Sequence, residues 1–268
     1  MMKCRHAVAP VFLLWCVGTI AVAAAELTPR ASAAYEAYLA ETRQAFLARL
    51  STHAGAVPSG EGVPPARPGR EDGIVSVPDG LVHHWVGAAF IPHTTLRRAL
   101  DVSSAYDAYP SIYKEVIASK LVRREGDTYR VVMRLKESAG GVGAVLEIRS
   151  TIRYSHPSDR VAYALSTADD IREVENAGQR DERLLPAGQD SGYLWRASNF
   201  TRFTEREDGV YVEMETVGLS RGFPPFLGWL IEPIARRLGR KSIERSLEEF
   251  IAEVRKPDEH PAARDDQF

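Results

Sequence analysis

Two groups of residues in this 268-residue chain have types and spacing that could do chemistry. Gly218-Leu219-Ser220-Arg221-Gly222 is a literal G-x-S-x-G between an expected strand and an expected helix, the setting a nucleophilic serine elbow needs. A hydrolase triad in that order also requires a later histidine, and the only one is His260, in the polar tail DEHPAARDDQF. Pro224-Pro225 interrupts the tight entry to the helix, so a plain strand-to-helix connection is the competing reading. The second group is His83-His84. Neighbours on a strand point to opposite faces, which makes joint ligation of one metal awkward. His83 shares parity with Trp85 and could face a cavity. There its neutral imidazole would suit a general base, with Arg196 or Glu213 as polar partner. The plainer alternative is a hydrogen-bonded histidine near a strand end.

Other polar clusters say less. Asp169, Asp170 and Glu173 lack the spacing of a calcium loop and read as a solvated edge. Gly140-Gly141-Val142-Gly143 precedes a strand and lacks a further glycine, so it reads as a hairpin turn and not a phosphate cradle. No metal and no cofactor is expected from these patterns.

Composition narrows the field. The chain is 44% hydrophobic and 26% charged, enough for one sizeable core. It begins with the short basic stretch MMKCRH, the apolar run AVAPVFLLWCVGTIAVA and Ala23-Ala24-Ala25, the order of a secretory signal peptide cleaved after Ala25. Retention of 1–25 as a membrane anchor is the alternative. Trp15 directly before Cys16 argues against a lipoprotein site. Both cysteines, Cys4 and Cys16, fall in the signal, so the mature chain would have no disulfide, zinc thiolate or cysteine nucleophile. Cleavage would also remove Lys3 and Arg5, leaving 32 basic against 36 acidic residues and a net charge of −4. Nothing in that balance asks for nucleic acid. A periplasmic or secreted monomer is expected.

The elements that must position these residues follow from periodicity. In 26–50, Tyr35, Tyr38, Leu39, Phe46 and Leu50 lie largely on one helical face, an amphipathic helix packed outside the main domain. The Pro/Gly-rich stretch 51–72 reads as a linker, 73–257 as the globular domain and 258–268 as a polar tail. Within the domain, 81–91 is a strand, and 94–100 and 103–109 are brief helices with Pro110 stopping the second. Strands 116–123, 128–136, 144–154, 160–167, 192–205 and 210–219 follow, with 168–191 as a charged surface loop. Tyr129, Val131, Met133 and Leu135 alternate with Arg130, Arg134 and Lys136, which predicts one apolar and one wet face. A long helix over 224–256 then has only the sheet against which to bury its apolar stripe.

This order, together with LRRALDVSSAYDAYPSIYKEVIASKLVRREGD and VGLSRGFPPFLGWLIEPI, resembles the START-like helix-grip superfamily over roughly Leu81 to Lys256. That superfamily includes polyketide cyclases, the birch-pollen-allergen group and coenzyme Q-binding START proteins. The resemblance implies an α+β helix-grip fold, a curved antiparallel sheet of about seven strands around the C-terminal helix. It also implies a deep apolar cavity between the two, of the kind family members use for lipids, quinones, sterols or polyketides. The signal, the N-terminal helix and the linker are additions to that domain.

Trp85, Tyr129, Met133, Leu146, Trp195 and Trp229 are candidates for lining such a cavity or for plain core. Phe226 to Ile231 form a lip at its mouth, since Pro233 should kink the helix and leave Ile243 to Val254 as its anchor, and Phe226, Leu230 and Ile234 are further candidates for ligand contact. Arg236, Arg237, Arg240 and Lys241 beside that apolar lip suit either a peripheral membrane contact or a solvated face with pairs such as Glu232 with Arg236. Three readings result: a binding or carrier protein for an apolar ligand without chemistry, a cyclase, aromatase or dehydratase using the same cavity, and an envelope protein docking a partner through its N-terminal helix.

Overall fold

A computed structural model describes residues 25–51, 63–139, 142–222 and 228–257. The chain opens with a two-residue strand, β1 (Ala25–Glu26), followed by helix α1 (Pro29–Ser51). The Thr28 hydroxyl accepts a hydrogen bond from Ala31 N–H at 3.1 Å and caps α1, with Pro29 at the first helical position where its missing donor is not needed. Two short strands, β2 (Arg67–Pro68) and β3 (Ile74–Val77), come before β4 (Gly80–Pro92). Helix α2 (Leu96–Ser104), a 3-10 turn over Tyr106–Ala108 and the single-turn α3 (Tyr109–Ile112) lead into β5 (Val116–Glu125), β6 (Thr128–Ala139), β7 (Val142–Ser158) and β8 (Val161–Glu175). After β9 (Arg183–Leu184) and β10 (Gln189–Asp190) come β11 (Arg196–Arg206), β12 (Gly209–Arg221) and helix α4 (Gly228–Val254).

Seven long strands form one antiparallel sheet in the order β4-β12-β11-β8-β7-β6-β5, with β2 and β3 pairing on β4 at one edge and β9 on β8. The first strand of the domain thus lies beside the last, and the hairpin run continues outward from there. Arg67–Pro68, inside the stretch read as linker, is part of this edge. The expected loop 168–191 is mostly structured, because β8 continues past a bulge near Ala168 and returns through β9. Pro110 does not stop a helix. It sits in the first turn of α3, and Thr95 caps α2 by accepting from Arg98 N–H.

The inner face of the sheet carries Trp85, Gly87, Ala89 and Ile91 of β4, Val210, Val212 and Met214 of β12, and Phe203 of β11. Against it α4 buries Ile243, Leu247, Phe250, Ile251 and Val254, at the three- and four-residue steps of one helical face. Gly87 lets the helix come close, since a Cβ there would stand 2.7 Å from Leu247 Cδ1. Arg98 of α2 donates to the carbonyls of Glu253 at 2.9 Å and Val254 at 3.3 Å, satisfying orphan acceptors at the end of α4.

The outer face departs from the expectation of a wet surface. Over β4, β12 and β11 it is covered by α1, whose Ala31, Tyr35, Tyr38 and Phe46 pack with Val82, Val217, Leu219 and Phe200. Arg130, Arg149 and Arg153 on β6 and β7 remain exposed as expected. Among the described residues, no helix is long and apolar enough to cross a membrane.

Candidate ligand-binding site

Register decides which side each candidate occupies, because directly paired strand residues share a face. His83 pairs with Gly218 and Leu81 with Ser220, so His83 and Ser220 both belong to the inner face near the start of α4. Their side chains meet, with His83 Nε2 2.8 Å from Ser220 Oγ. Burial pushes the His83 imidazole down to about 4, so it is neutral near pH 7. Ser220 Oγ also donates to the Arg221 carbonyl at 3.2 Å. Among the described residues no carboxylate orients the His83 ring, so the pair lacks the third member that fixes a catalytic tautomer. It is a satisfied polar contact at the end of two strands.

Glu213 and Arg196 are on the other side of the sheet. Glu213 pairs with Arg202 and Ala88, and Arg196 with Leu219, all on the face covered by α1. The expected assembly of His83 with either residue does not form, because residues of opposite parity are separated by the sheet itself. Glu213 instead belongs to a buried polar layer under α1. His84 Nε2–H donates to Glu215 at 2.7 Å while its Nδ1 faces the Tyr38 hydroxyl at 2.8 Å. Arg49, near the end of α1, bonds Glu215 and stands 3.6 Å from Glu213. Tyr211 donates to Glu213 at 3.1 Å, and Arg202 donates to the Arg49 carbonyl at 3.0 Å. Burial alone would raise the Glu215 carboxyl, yet the His84 bond and the Arg49 charge hold it below its ordinary value. The layer fastens α1 to the sheet. Its only sequence signal is an acidic residue at alternate positions of a strand with aliphatic neighbours.

The lining candidates divide as well. Trp85, Tyr129, Met133 and Leu146 are on the inner face, where Trp85 packs with Ile243 and its indole lies against Gly239, at which a Cβ would be 2.5 Å from Nε1. Trp195 is not there. It is buried in the α1 cluster, and its indole N–H donates to Asp190 at 3.2 Å. Ile234 is 50% exposed and Leu238 is 40% exposed, because the stripe that α4 buries begins only beyond Gly239. Phe226 lies outside the described residues. Trp229 and Leu230 fall on the first turn of α4, with side chains outside that description. Arg236 pairs with Asp72 and Glu232, and Arg240 with Glu244 at 3.7 Å, whereas Arg237 and Lys241 are exposed.

Between the anchored half of α4 and the β5 edge, the inner face is incompletely covered by the described residues. Asn199 is exposed, and Met133, Leu135, Ser166, Thr201, Met214 and Thr216 are only half-buried on the surface that elsewhere forms the core. At the far end it is closed by Tyr106, Tyr129 and Tyr154, whose rings contact one another and whose Tyr106 and Tyr154 hydroxyls are 3.0 Å apart. Burial raises the Tyr106 and Tyr154 hydroxyls, which stay neutral. Beside them is an open cleft of about 640 Å³, lined by Tyr129 and Tyr154 together with Leu100, Asp127, His156 and Glu205. No group of residues that could hold a metal ion occurs among the described residues, and Asp169, Asp170 and Glu173 are engaged by Thr151, Arg172 and Ser191.

An antiparallel sheet whose first strand lies beside its last, with a C-terminal helix across its inner face, defines the helix-grip class. Solved structures that resemble the chain are START-type, lipid-transfer and aromatase/cyclase proteins. A STAR-related lipid transfer protein from Xanthomonas axonopodis aligns at 14% identity and TM-score 0.41, over 65% of this chain and 96% of that one. A START superfamily protein from Mycobacterium smegmatis aligns at 11% identity and TM-score 0.42, over 64% and 97%. The Zhui aromatase/cyclase from a Streptomyces species aligns at 12% identity and TM-score 0.41, over 65% and 93%. No protein-family model and no curated protein matches the sequence.

Proposed function

We propose that the chain is an exported START-like protein that binds or carries an apolar ligand, such as a lipid, quinone, isoprenoid or sterol, between the inner sheet face and α4. The observation that carries this reading is the half-exposed stretch of inner face from Met133 to Met214, apolar at its edges and, among the described residues, not covered by α4, whose packed stripe starts at Ile243. Apolar surface concentrated in a concavity is what a hydrophobic ligand would bury. The apolar start of the sequence and the polyalanine that ends it support export. The exposed Arg237 and Lys241 beside Ile234 and Leu238 support a peripheral membrane contact during loading.

The cyclase reading loses its support, since Arg196 and Glu213 are across the sheet from His83. Docking through α1 would have to use its outer residues, among them Glu36, Glu41 and Arg43, because its apolar side is occupied by the sheet. The proposal is tested by organic extraction of protein purified from producing cells, followed by mass spectrometry. Near-stoichiometric recovery of an apolar molecule is expected. Recovery of none, together with no uptake of fluorescent lipid probes, would overturn it.

A further inference from the structure

One row of side chains can be followed across the inner face through directly paired residues: Tyr129, Ile152, Ser166, Asn199, Thr216 and Trp85. Its ends are aromatic and aliphatic, but its middle is polar on three adjacent strands. Cβ atoms of directly opposed residues are about 5 Å apart, so Ser166, Asn199 and Thr216 make one continuous hydrogen-bonding strip. Among the described residues none of the three side chains has a hydrogen-bond partner. Asn199 is exposed, although Phe203 on the same strand face is buried beneath α4. Water can satisfy these groups while the cavity is open, and a ligand that displaces the water must replace its bonds.

The surroundings define the chemistry of the replacement. The row on one side runs through Tyr154, Ala164, Thr201, Met214 and Gly87, and on the other Ala197, Gly218 and His83 are registered together. The titratable groups among them are Tyr154, whose hydroxyl burial keeps neutral, and His83, whose Nε2 is engaged by Ser220. Arg236 and Arg240, the nearest cations on α4 that are not fully exposed or that carry partners, are paired with Asp72, Glu232 and Glu244. An anionic head placed on this strip would be removed from water with only hydroxyls and one amide to compensate it, which is unfavourable for a full charge.

We propose that Ser166, Asn199 and Thr216 bind the polar head of the ligand, and that this head is an uncharged hydroxyl or carbonyl group and not a phosphate or carboxylate. The inference rests on the reading of the space beneath α4 as a ligand cavity. Asn199 supplies both a donor and an acceptor, and the two hydroxyls can each do either, so alcohols and ketones are equally served.

Matched probes separate the alternatives. Delipidated protein, purified as the cells produce it, is titrated with dioleoylglycerol against dioleoylphosphatidylglycerol, and with oleyl alcohol against oleate. Each pair shares its hydrocarbon and differs in head-group charge. The neutral member is expected to bind at least about tenfold more tightly, and Asn199→Leu or the nearly isosteric Thr216→Val should each weaken it by about three- to tenfold. Thr167→Val, on the outer face of β8, should change nothing. Equal or tighter binding of the anionic members, or variants that keep the full preference, would overturn the head-group assignment while leaving the cavity intact. Binding of no member of either pair would overturn both.

Discussion

Protonation of His83 measures how well the inner face is closed at the start of α4. Burial holds this imidazole at about 4, against an ordinary value of 6.5. The unfolded chain therefore takes up a proton near 6.5 and the folded chain only near 4. Stability from this group is complete above 6.5 and is lost as the pH falls through that value toward 4. Evaluated at a pH of about 4.5, the linkage amounts to roughly 2.5 kcal/mol. His83→Gln removes the titration and keeps a side chain that can bond Ser220. Urea unfolding at a pH of about 7.5 and again at about 4.5 should show the wild type losing roughly 2.5 kcal/mol more than the variant between the two conditions. Titrations elsewhere in the chain cancel in this double difference as far as they are independent of His83. Losses that run parallel to within about 0.5 kcal/mol would refute a buried, neutral His83. They would also remove the reason for reading its contact with Ser220 as a purely structural one.

Two further outcomes test the clamps on either face. Phe250→Ala, at a fully buried site whose ring stands 6.1 Å from that of Phe203, should cost about 3–5 kcal/mol in chemical denaturation; a loss under about 1 kcal/mol would mean that the end of α4 is not the anchor. Glu215→Gln leaves His84 without its buried anion and takes from Arg49 the nearer of its two carboxylates, and should cost about 3 kcal/mol. Amide exchange should rise across Pro29–Ser51 before it rises in Ile243–Val254, and equal exchange in both segments would refute the role of this layer in holding α1.

Much of the fold was legible because its signals are local. Alternation in 128–136 and 144–154 marked strands whose apolar sides do lie on the inner face of the sheet, and the steps of Ile243, Leu247, Phe250 and Val254 marked the buried stripe of the helix. The site was legible only in part. Trp195 looked as good a lining residue as Trp85, and nothing in its neighbourhood separates an aromatic that faces α1 from one that faces α4. Asn199, Ser166 and Thr216 went unnoticed because each is an ordinary polar residue in its own strand. They form a strip only through registration of β8, β11 and β12, which brings together positions far apart in the chain.

The amino-acid order by itself determined the succession of the long strands and of the helices α1, α2 and α4, the apolar start of the chain, and the absence of cysteine after residue 16. These depend on short-range periodicity and residue type, which are properties of a few neighbouring positions. Tertiary structure alone decided which face of β11 and β12 is inner. Both strands carry polar and apolar residues on each side, Phe203 with Asn199 on one face and Phe200 with Arg202 on the other. The second face became an interior because α1 folds back over it and supplies Arg49 and Tyr38 to buried carboxylate and imidazole groups. Pairing across strands and helices separated by more than a hundred residues settled that choice, and with it the assignment of Glu213 to the scaffold and of Asn199 to the inner face.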